Sequence, residues 1–115
     1  MTIKIYHNPR CSKSRQTLAL LQEKGCQPEV IEYLKTPPDL ATVEQLLNKL
    51  GLSPRELMRK KEAVYKELNL DDSGHSRAEL IQAMVKNPIL IERPIVVADE
   101  RAAIGRPPES VLDIL

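Results

Sequence analysis

The order of strand and helix patterns along the chain restricts the fold more than any other feature of the sequence. An apolar strand pattern at 3–6 is followed by a helical pattern at 14–24, and Gly25 is a natural end for that helix. Residues 29–34 are rich in β-branched side chains and predict a second strand. A strand, a helix and a strand at this spacing indicate a right-handed βαβ unit with parallel strands.

The rest of the chain extends this unit in a recognisable order. Residues 39–85 have helical periodicity almost throughout, and 95–98 and 102–104 predict the two strands of a hairpin, followed by a short helix at 109–115. Without the helical block, this is the order of thioredoxin. We therefore predict an α/β, thioredoxin-like fold with a mixed four-stranded sheet, in a single domain over 1–115 with a helical insertion at about 39–86.

The composition excludes several classes of partner. The 115 residues suit one domain, and the net charge of +1 does not call for nucleic acid or a membrane surface. Aromatic residues make up 3% of the chain, too few for the stacking surfaces of single-stranded nucleic-acid binders. No apolar run is long enough to span a membrane and the N-terminus does not resemble a signal peptide, so we expect a cytoplasmic protein with free thiols.

Cys11 is the strongest candidate for chemistry. It follows the first strand and the Asn8-Pro9 turn, and it directly precedes the first helical pattern. A thiol at a helix N-terminus lies near unpaired backbone N–H groups, which stabilise a thiolate and can also hold an anion. The alternative is a buried, inert thiol. The polar residues around Cys11 favour a redox or anion-reducing site.

The neighbouring residues limit the kind of thiol chemistry. Ser14 stands where a dithiol oxidoreductase has its second cysteine, so any redox cycle requires an outside thiol, such as glutathione or a partner protein. Cys26 is better explained as a spare thiol than as a resolving one. His7 either bonds the cysteine loop or stabilises the turn. Two cysteines and two histidines at these spacings predict no metal site.

Three arginines could hold an anion against this thiol, although each taken singly is more simply a surface charge. Arg93 and Arg106 flank the two predicted hairpin strands, and Arg59 follows a short helix. Guanidinium groups that converge on the cysteine loop would suit a tetrahedral oxyanion. Pro94 precedes the third strand, where thioredoxin-like domains place a cis-proline facing the active cysteine; an ordinary trans-proline is the alternative.

Five motifs follow one another along nearly the whole chain. They are H-N-P-R-C-S-K-S-R at 7–15, Y-L-K-T-P-P at 33–38, E-L-M-R-K-K at 56–61, P-I-L-I-E-R-P-I-V-V at 88–97, and G-R-P-P-E at 105–109 with V-L-D-I-L at the end. In this order and spacing they resemble the motifs of the glutaredoxin-dependent arsenate reductases. The H-N-P-R-C-S-K-S-R form of the first motif resembles a subgroup of bacterial relatives of these enzymes.

This resemblance implies a function. Cys11 would attack arsenate, glutathione would join the bound arsenic as co-substrate, and glutaredoxin would reduce the adduct so that arsenite leaves. No bound cofactor is implied. By the same resemblance, three arginines bind the oxyanion and three loop residues support the cysteine: Arg59, Arg93 and Arg106, and His7, Ser14 and Arg15.

Two other functions remain open at this point. One is a glutathione-dependent thiol or disulfide reductase that does not use arsenate. The other is an RNA polymerase-binding regulator like the Spx-type proteins, which share the fold. That group typically carries C-x-x-C, and Ser14 argues against it here.

Overall fold

Four short strands form one mixed sheet in the computed structural model, which describes residues 2–115. The strand order is β2-β1-β3-β4. Strand β1 pairs with β2 in parallel and with β3 antiparallel, and β3 pairs with β4 antiparallel as a hairpin. The strands are β1 (Ile3–Tyr6), β2 (Glu29–Ile31), β3 (Ile95–Ala98) and β4 (Arg101–Ile104).

Five α-helices and two 3₁₀ helices complete the described chain. They are α1 (Ser12–Glu23), α2 (Leu40–Leu50), α3 (Pro54–Leu57), α4 (Ala63–Glu67) and α5 (Arg77–Lys86), with 3₁₀ helices at Pro88–Leu90 and Pro108–Ile114. None of the helices within residues 2–115 combines the length and the apolar character that crossing a membrane requires.

The chain divides into two compact units. One consists of the chain up to Thr36 together with Arg93–Leu115, and the other is Pro37–Glu92. The first unit contains the whole sheet, α1 and the C-terminal 3₁₀ helix, which confirms the predicted thioredoxin-like α/β fold. The second unit contains α2 to α5, close to the insertion predicted at about 39–86. That the two units make up a single domain stays a prediction.

The core of the first unit lies between the sheet, α1 and the C-terminal 3₁₀ helix. Ile5 of β1, Leu21 of α1, Val96 of β3 and Val111 are each fully buried in one cluster. Within the sheet, Ile5 pairs with Val30 on one side and with Val96 on the other. Because β1 is a central strand of the sheet, the position of its C-terminal end fixes where the chain enters α1.

Apolar periodicity predicts a buried face of α1 made of Leu18 and Leu21, with Ala19 and Leu20, and the structure agrees only in part. The fully buried positions are Ser14, Thr17 and Leu21, spaced three and four residues apart, whereas Ala19 is exposed. Two of these three side chains are polar, so apolar periodicity alone does not reveal the face. The helix begins at Ser12 rather than Ser14, and Gly25 at φ +82° follows its C-terminal end as predicted.

Three segments differ from the prediction. Strand β2 ends at Ile31 rather than residue 34, because the Glu32 carbonyl accepts hydrogen bonds from the N–H groups of Lys35 and Thr36 in a turn. The last helix is a 3₁₀ helix that begins at Pro108. The apolar run Ile89-Leu90-Ile91 predicts a short linker packed inward; Leu90 and Ile91 are buried, but Ile89 is 45% exposed.

Ser53-Pro54-Arg55-Glu56 and Ser76-Arg77-Ala78-Glu79 each have the Ser-x-x-Glu pattern that predicts a capping box at a helix start. In α3, the Ser53 hydroxyl accepts a hydrogen bond from the Glu56 N–H, and the Glu56 carboxylate accepts one from the Ser53 N–H. Ser76 and Glu79 form the same reciprocal pair at the start of α5. Both predicted capping boxes are therefore confirmed.

Candidate active site

Cys11 occupies the residue directly before α1, the position from which a side chain can cap the helix. Its backbone is extended (φ −93°, ψ 123°), its N–H donates to the Asn8 carbonyl at 3.0 Å, and its carbonyl accepts from the Arg15 N–H at 3.0 Å. The thiol is 9% exposed. A sulfur atom therefore stands at the position where other helices have an oxygen acceptor.

The surroundings of Cys11 favour the thiolate. Burial raises the pKa of the thiol, but the backbone N–H groups of Ser14 and Lys13 and the charges of Arg93 and Arg106 lower it by more. The resulting pKa lies below the ordinary value for a cysteine. The helix N-terminus and the two guanidinium groups thus act in the same direction, and the predicted activation of Cys11 has a physical basis.

Arg106 reaches the sulfur directly. Its Nη2 lies 3.7 Å from the Cys11 Sγ, and its Nε donates to the Arg93 carbonyl at 2.9 Å. The bond to the Arg93 backbone orients the guanidinium, so that one nitrogen is held while another faces the thiol. The Arg93–Pro94 peptide bond is cis, the first of the two alternatives that the sequence left open for Pro94, and the Arg106–Pro107 bond is also cis.

Gly105 allows this close approach. Its N–H donates to the Pro94 carbonyl at 2.9 Å, and its carbonyl lies 3.5 Å from the hydroxyl oxygen of Thr17 in α1, which donates to the Lys13 carbonyl at 2.8 Å. A Cβ atom at this position would lie 2.8 Å from the Pro94 Cγ and would overlap the Thr17 side chain. The segment that carries Arg106 therefore packs against α1 only because residue 105 has no side chain.

Ser14 and His7 form a buried pair beneath the cysteine loop. The Ser14 Oγ lies 2.6 Å from the His7 Nδ1 and accepts a 3.0 Å hydrogen bond from the Asn8 N–H. A serine hydroxyl has one proton to donate, so this arrangement is satisfied when Ser14 donates to an unprotonated Nδ1. Burial is the main effect on His7 and lowers its pKa. The Glu32 charge raises this pKa and the Arg15 charge lowers it, and the net lowering favours the neutral imidazole.

Further hydrogen bonds hold the loop itself. The Arg15 Nη1 donates to the Pro9 carbonyl at 2.9 Å, and the Arg10 N–H donates to the Asn8 Oδ1 at 3.0 Å. Arg15 therefore supports the loop through the backbone rather than by contact with the thiol. Cys26 is only partly buried and follows the end of α1, at the other end of the helix from Cys11.

Arg59 belongs to the second unit. Its Nη1 lies 2.6 Å from the Glu62 Oε1, and its N–H donates to the Leu90 carbonyl at 2.7 Å. Of the three predicted arginines, the structure brings Arg93 and Arg106 together beside Cys11, whereas it describes Arg59 in an ion pair with Glu62.

Three residues that the sequence analysis did not single out contribute to these contacts: Thr17, Gly105 and Glu62. Of these, only Gly105 had a visible signal, because a glycine next to a candidate arginine suggests a close backbone approach. Among residues 2–115, no group of three or more histidine, cysteine or acidic side chains is placed to hold a metal ion.

Comparison with known proteins agrees with this description. A model of the ArsC family matches residues 6–114. The chain is 66% identical to Uncharacterized protein YfgD of Escherichia coli K12 over 114 residues, which are 98% of this chain and 96% of that protein. It is 52% identical to a protein named arsenate reductase of Neisseria meningitidis serogroup B over 114 residues, or 98% of this chain and 97% of that one.

The solved structures include a similar fold. A structure described as arsenate reductase from Vibrio cholerae superimposes with a TM-score of 0.98 and 55% sequence identity, covering 100% of this chain and 98% of the other. A family match over nearly the whole chain, together with relatives more than half identical, is decisive for membership. The chain belongs to the ArsC family.

Proposed function

We propose that this protein is an arsenate reductase that uses glutathione and glutaredoxin, with Cys11 as the nucleophile. The observation that carries the proposal is the 3.7 Å contact between the Arg106 guanidinium and the Cys11 sulfur at the start of α1. A thiol of lowered pKa beside a fixed cation is suited to attack an anionic electrophile, because the cation stabilises both the thiolate and the incoming oxyanion. The names of the relatives agree with arsenate as that oxyanion.

In the first step, the Cys11 thiolate attacks arsenic(V), and one arsenate oxygen leaves as water after protonation. The product is an arsenic(V) adduct in which sulfur replaces one oxygen. The backbone N–H groups at the start of α1 and the guanidinium groups of Arg93 and Arg106 would hold the remaining oxygens. The family resemblance adds Arg59 to this set.

The reduction needs thiols from outside the chain. Ser14 has no sulfur, and its hydroxyl is already bonded to His7 and Asn8. Glutathione would therefore replace a second oxygen on arsenic as water leaves. A glutaredoxin thiolate would then attack the glutathione sulfur, leaving the electron pair of the arsenic–sulfur bond on arsenic. This step yields a glutaredoxin–glutathione disulfide and arsenic(III), and hydrolysis releases arsenite and regenerates Cys11.

The test is a coupled assay. Arsenate-dependent NADPH consumption is measured with glutathione, glutathione reductase and glutaredoxin, for the native protein and for Cys11→Ser. We expect turnover in the native protein, none in the variant, and none when either thiol component is omitted. Arsenate-independent consumption, or activity that survives the loss of Cys11, would refute the proposal. Because the cycle depends on glutathione, we propose the cytoplasm as its site.

The monothiol loop also fits a second function. A thiolate without an internal partner can exchange with a glutathione mixed disulfide by the same chemistry, without arsenate. Turnover of a glutathionylated peptide, with none of arsenate, would favour this function. A stable complex with RNA polymerase that is unaffected by Cys11→Ser would instead support a regulator of the Spx type.

A further inference from the structure

The ion pair between Arg59 and Glu62 is partly shielded from water. The two side chains are 27% and 24% exposed, and the Arg59 Nη1 lies 2.6 Å from the Glu62 Oε1. The similarly short pair between Arg77 and Glu44, at 2.7 Å, is 48% and 43% exposed. A charge pair shielded from water is attracted more strongly than an exposed one. The Glu62 carboxylate therefore neutralises the Arg59 guanidinium effectively.

Both partners are held close together by the backbone. The Arg59 N–H donates to the Leu90 carbonyl at 2.7 Å, and the Arg59 carbonyl accepts a 3.2 Å hydrogen bond from the Glu62 N–H. Glu62 directly precedes α4, but within the described residues its carboxylate does not cap that helix. It lies on the arginine instead. The contact uses one nitrogen of a guanidinium group that has five N–H donors.

We propose that Glu62 is a resident counterion of Arg59 that the oxyanion substrate must displace, so that Glu62 sets how tightly the site holds its substrate. This inference rests on the proposed function, which takes Arg59 as one of the oxyanion-binding arginines. The carboxylate and a tetrahedral oxyanion are competing acceptors for the same donors, because both accept charge-assisted hydrogen bonds from a guanidinium fork. Glu62 acts through Arg59 and is a positioning residue, without contact to the reacting atoms.

The test removes the negative charge of the Glu62 side chain and keeps its shape. Glu62→Gln should lower the KM for arsenate about three- to fivefold, the factor expected when a competing ion pair of this kind is removed, with a smaller change in kcat. Sulfate, as an unreactive tetrahedral dianion, should inhibit the variant more strongly by a similar factor. Glu62→Asp keeps the negative charge and should leave the KM near that of the native protein.

Glu44→Gln is the matched control. It removes the same charge from another short arginine pair in the second unit, so it changes the net charge by the same amount. Its KM for arsenate should not change. An equal decrease in the KM of both variants would show that the effect comes from net charge alone, and it would overturn the inference. An unchanged or higher KM in the Glu62→Gln variant would also overturn the inference.

A binding measurement separates this inference from the proposed function. Calorimetric titration of arsenate into Cys11→Ser protein, with and without Glu62→Gln, reports affinity without turnover. Tighter binding in the double variant, together with a native protein that does not turn over arsenate, would refute the function and keep the inference. Native turnover with equal affinity in both would refute the inference and keep the function.

Discussion

The N-termini of α1 and α5 carry different residues at the same position. At α5, the Ser76 hydroxyl accepts from the Glu79 N–H at 3.1 Å, and the Glu79 carboxylate accepts from the Ser76 N–H at 2.9 Å. At α1, Cys11 takes the place of the serine, and the first turn, Ser12–Arg15, contains no acidic residue. One helix start has oxygen acceptors for its N–H groups, and the other has a sulfur atom.

The difference shows that the backbone N–H groups of a helix N-terminus can stabilise either a structural cap or a reactive group. The hydrogen bond from the Ser76 N–H lowers the pKa of Glu79 and keeps it an acceptor. Burial raises the pKa of Cys11, yet the N–H groups of Ser14 and Lys13, with two arginine charges, lower it overall. At α5 the helix N-terminus stabilises a cap. At α1 it stabilises a thiolate, and it can stabilise an oxyanion in the same place.

The largest effect should come from making α1 resemble α5. We expect Cys11→Ser to reduce arsenate turnover by at least about 10³-fold, as the loss of a nucleophile does elsewhere. The same change supplies a good capping hydroxyl and should raise the free energy of unfolding by about 0.5–1 kcal/mol. Coupled assays and urea unfolding measure the two quantities. Cys26→Ser is the control and should keep full turnover; equal losses in both variants would contradict the assignment.

The next effect should come from removing the cation beside the sulfur. Arg106→Ala takes away one of the charges that lower the pKa of Cys11, so the pH midpoint of thiol alkylation should move upward and the alkylation rate at pH 7 should fall. The kcat/KM for arsenate should fall roughly 10- to 150-fold, the worth of one charge-assisted hydrogen bond.

Two further variants make this result specific. Arg93→Lys should also be impaired, because a point charge does not replace a planar fork. Arg101→Ala removes an exposed arginine from β4 and should leave the alkylation profile unchanged. An unshifted profile in Arg106→Ala would show that the 3.7 Å contact does not activate the thiol.

A smaller effect is expected when Arg106 is displaced rather than removed. Gly105→Ala would place a methyl group against Thr17 and Pro94, so the segment must move away from α1. We expect a loss of about 1–3 kcal/mol in the free energy of unfolding, accompanied by lower turnover. Gly74→Ala is the control, since its added Cβ would meet only the Asp72 side chain. Full stability in Gly105→Ala would mean that the segment accommodates a side chain.

The smallest effect should come from the structural cap itself. Ser76→Ala removes the hydroxyl that accepts from the Glu79 N–H, and it should lower the free energy of unfolding by about 1 kcal/mol. Arsenate turnover and the alkylation profile of Cys11 should stay unchanged. Urea unfolding and the coupled assay measure these quantities on one preparation. A loss of turnover larger than the loss of folded protein would show that the two helix starts are not independent.

Local patterns predicted much of the fold. The bounds of β1 and β3 and both capping boxes agree with the structure, because strand alternation and capping depend on residues close in sequence. The early end of β2 and the 3₁₀ form of the last helix were not predicted. The strand pattern at 29–34 does not report the local turn at the Glu32 carbonyl that ends β2.

The site was predictable to a different extent for each residue. Cys11 and Ser14 are separated by a single turn, so their position at the start of α1 follows from the local pattern. The approach of Thr17 to Gly105 joins residues 88 positions apart, and no local pattern reports it. The pairing of Glu62 with Arg59 spans only three residues, yet an acidic residue near an arginine is too common in sequences to single out.

The sequence by itself determined that one cysteine stands at a helix N-terminus and that no second cysteine lies one turn away. Those two facts restrict the chemistry to a monothiol that needs an external reductant. Only the tertiary structure decided that the Arg106 Nη2 lies 3.7 Å from a sulfur 95 residues away. The physical reason is that a thiol's pKa depends on the distance of surrounding charges in space, and separation along the chain does not determine that distance.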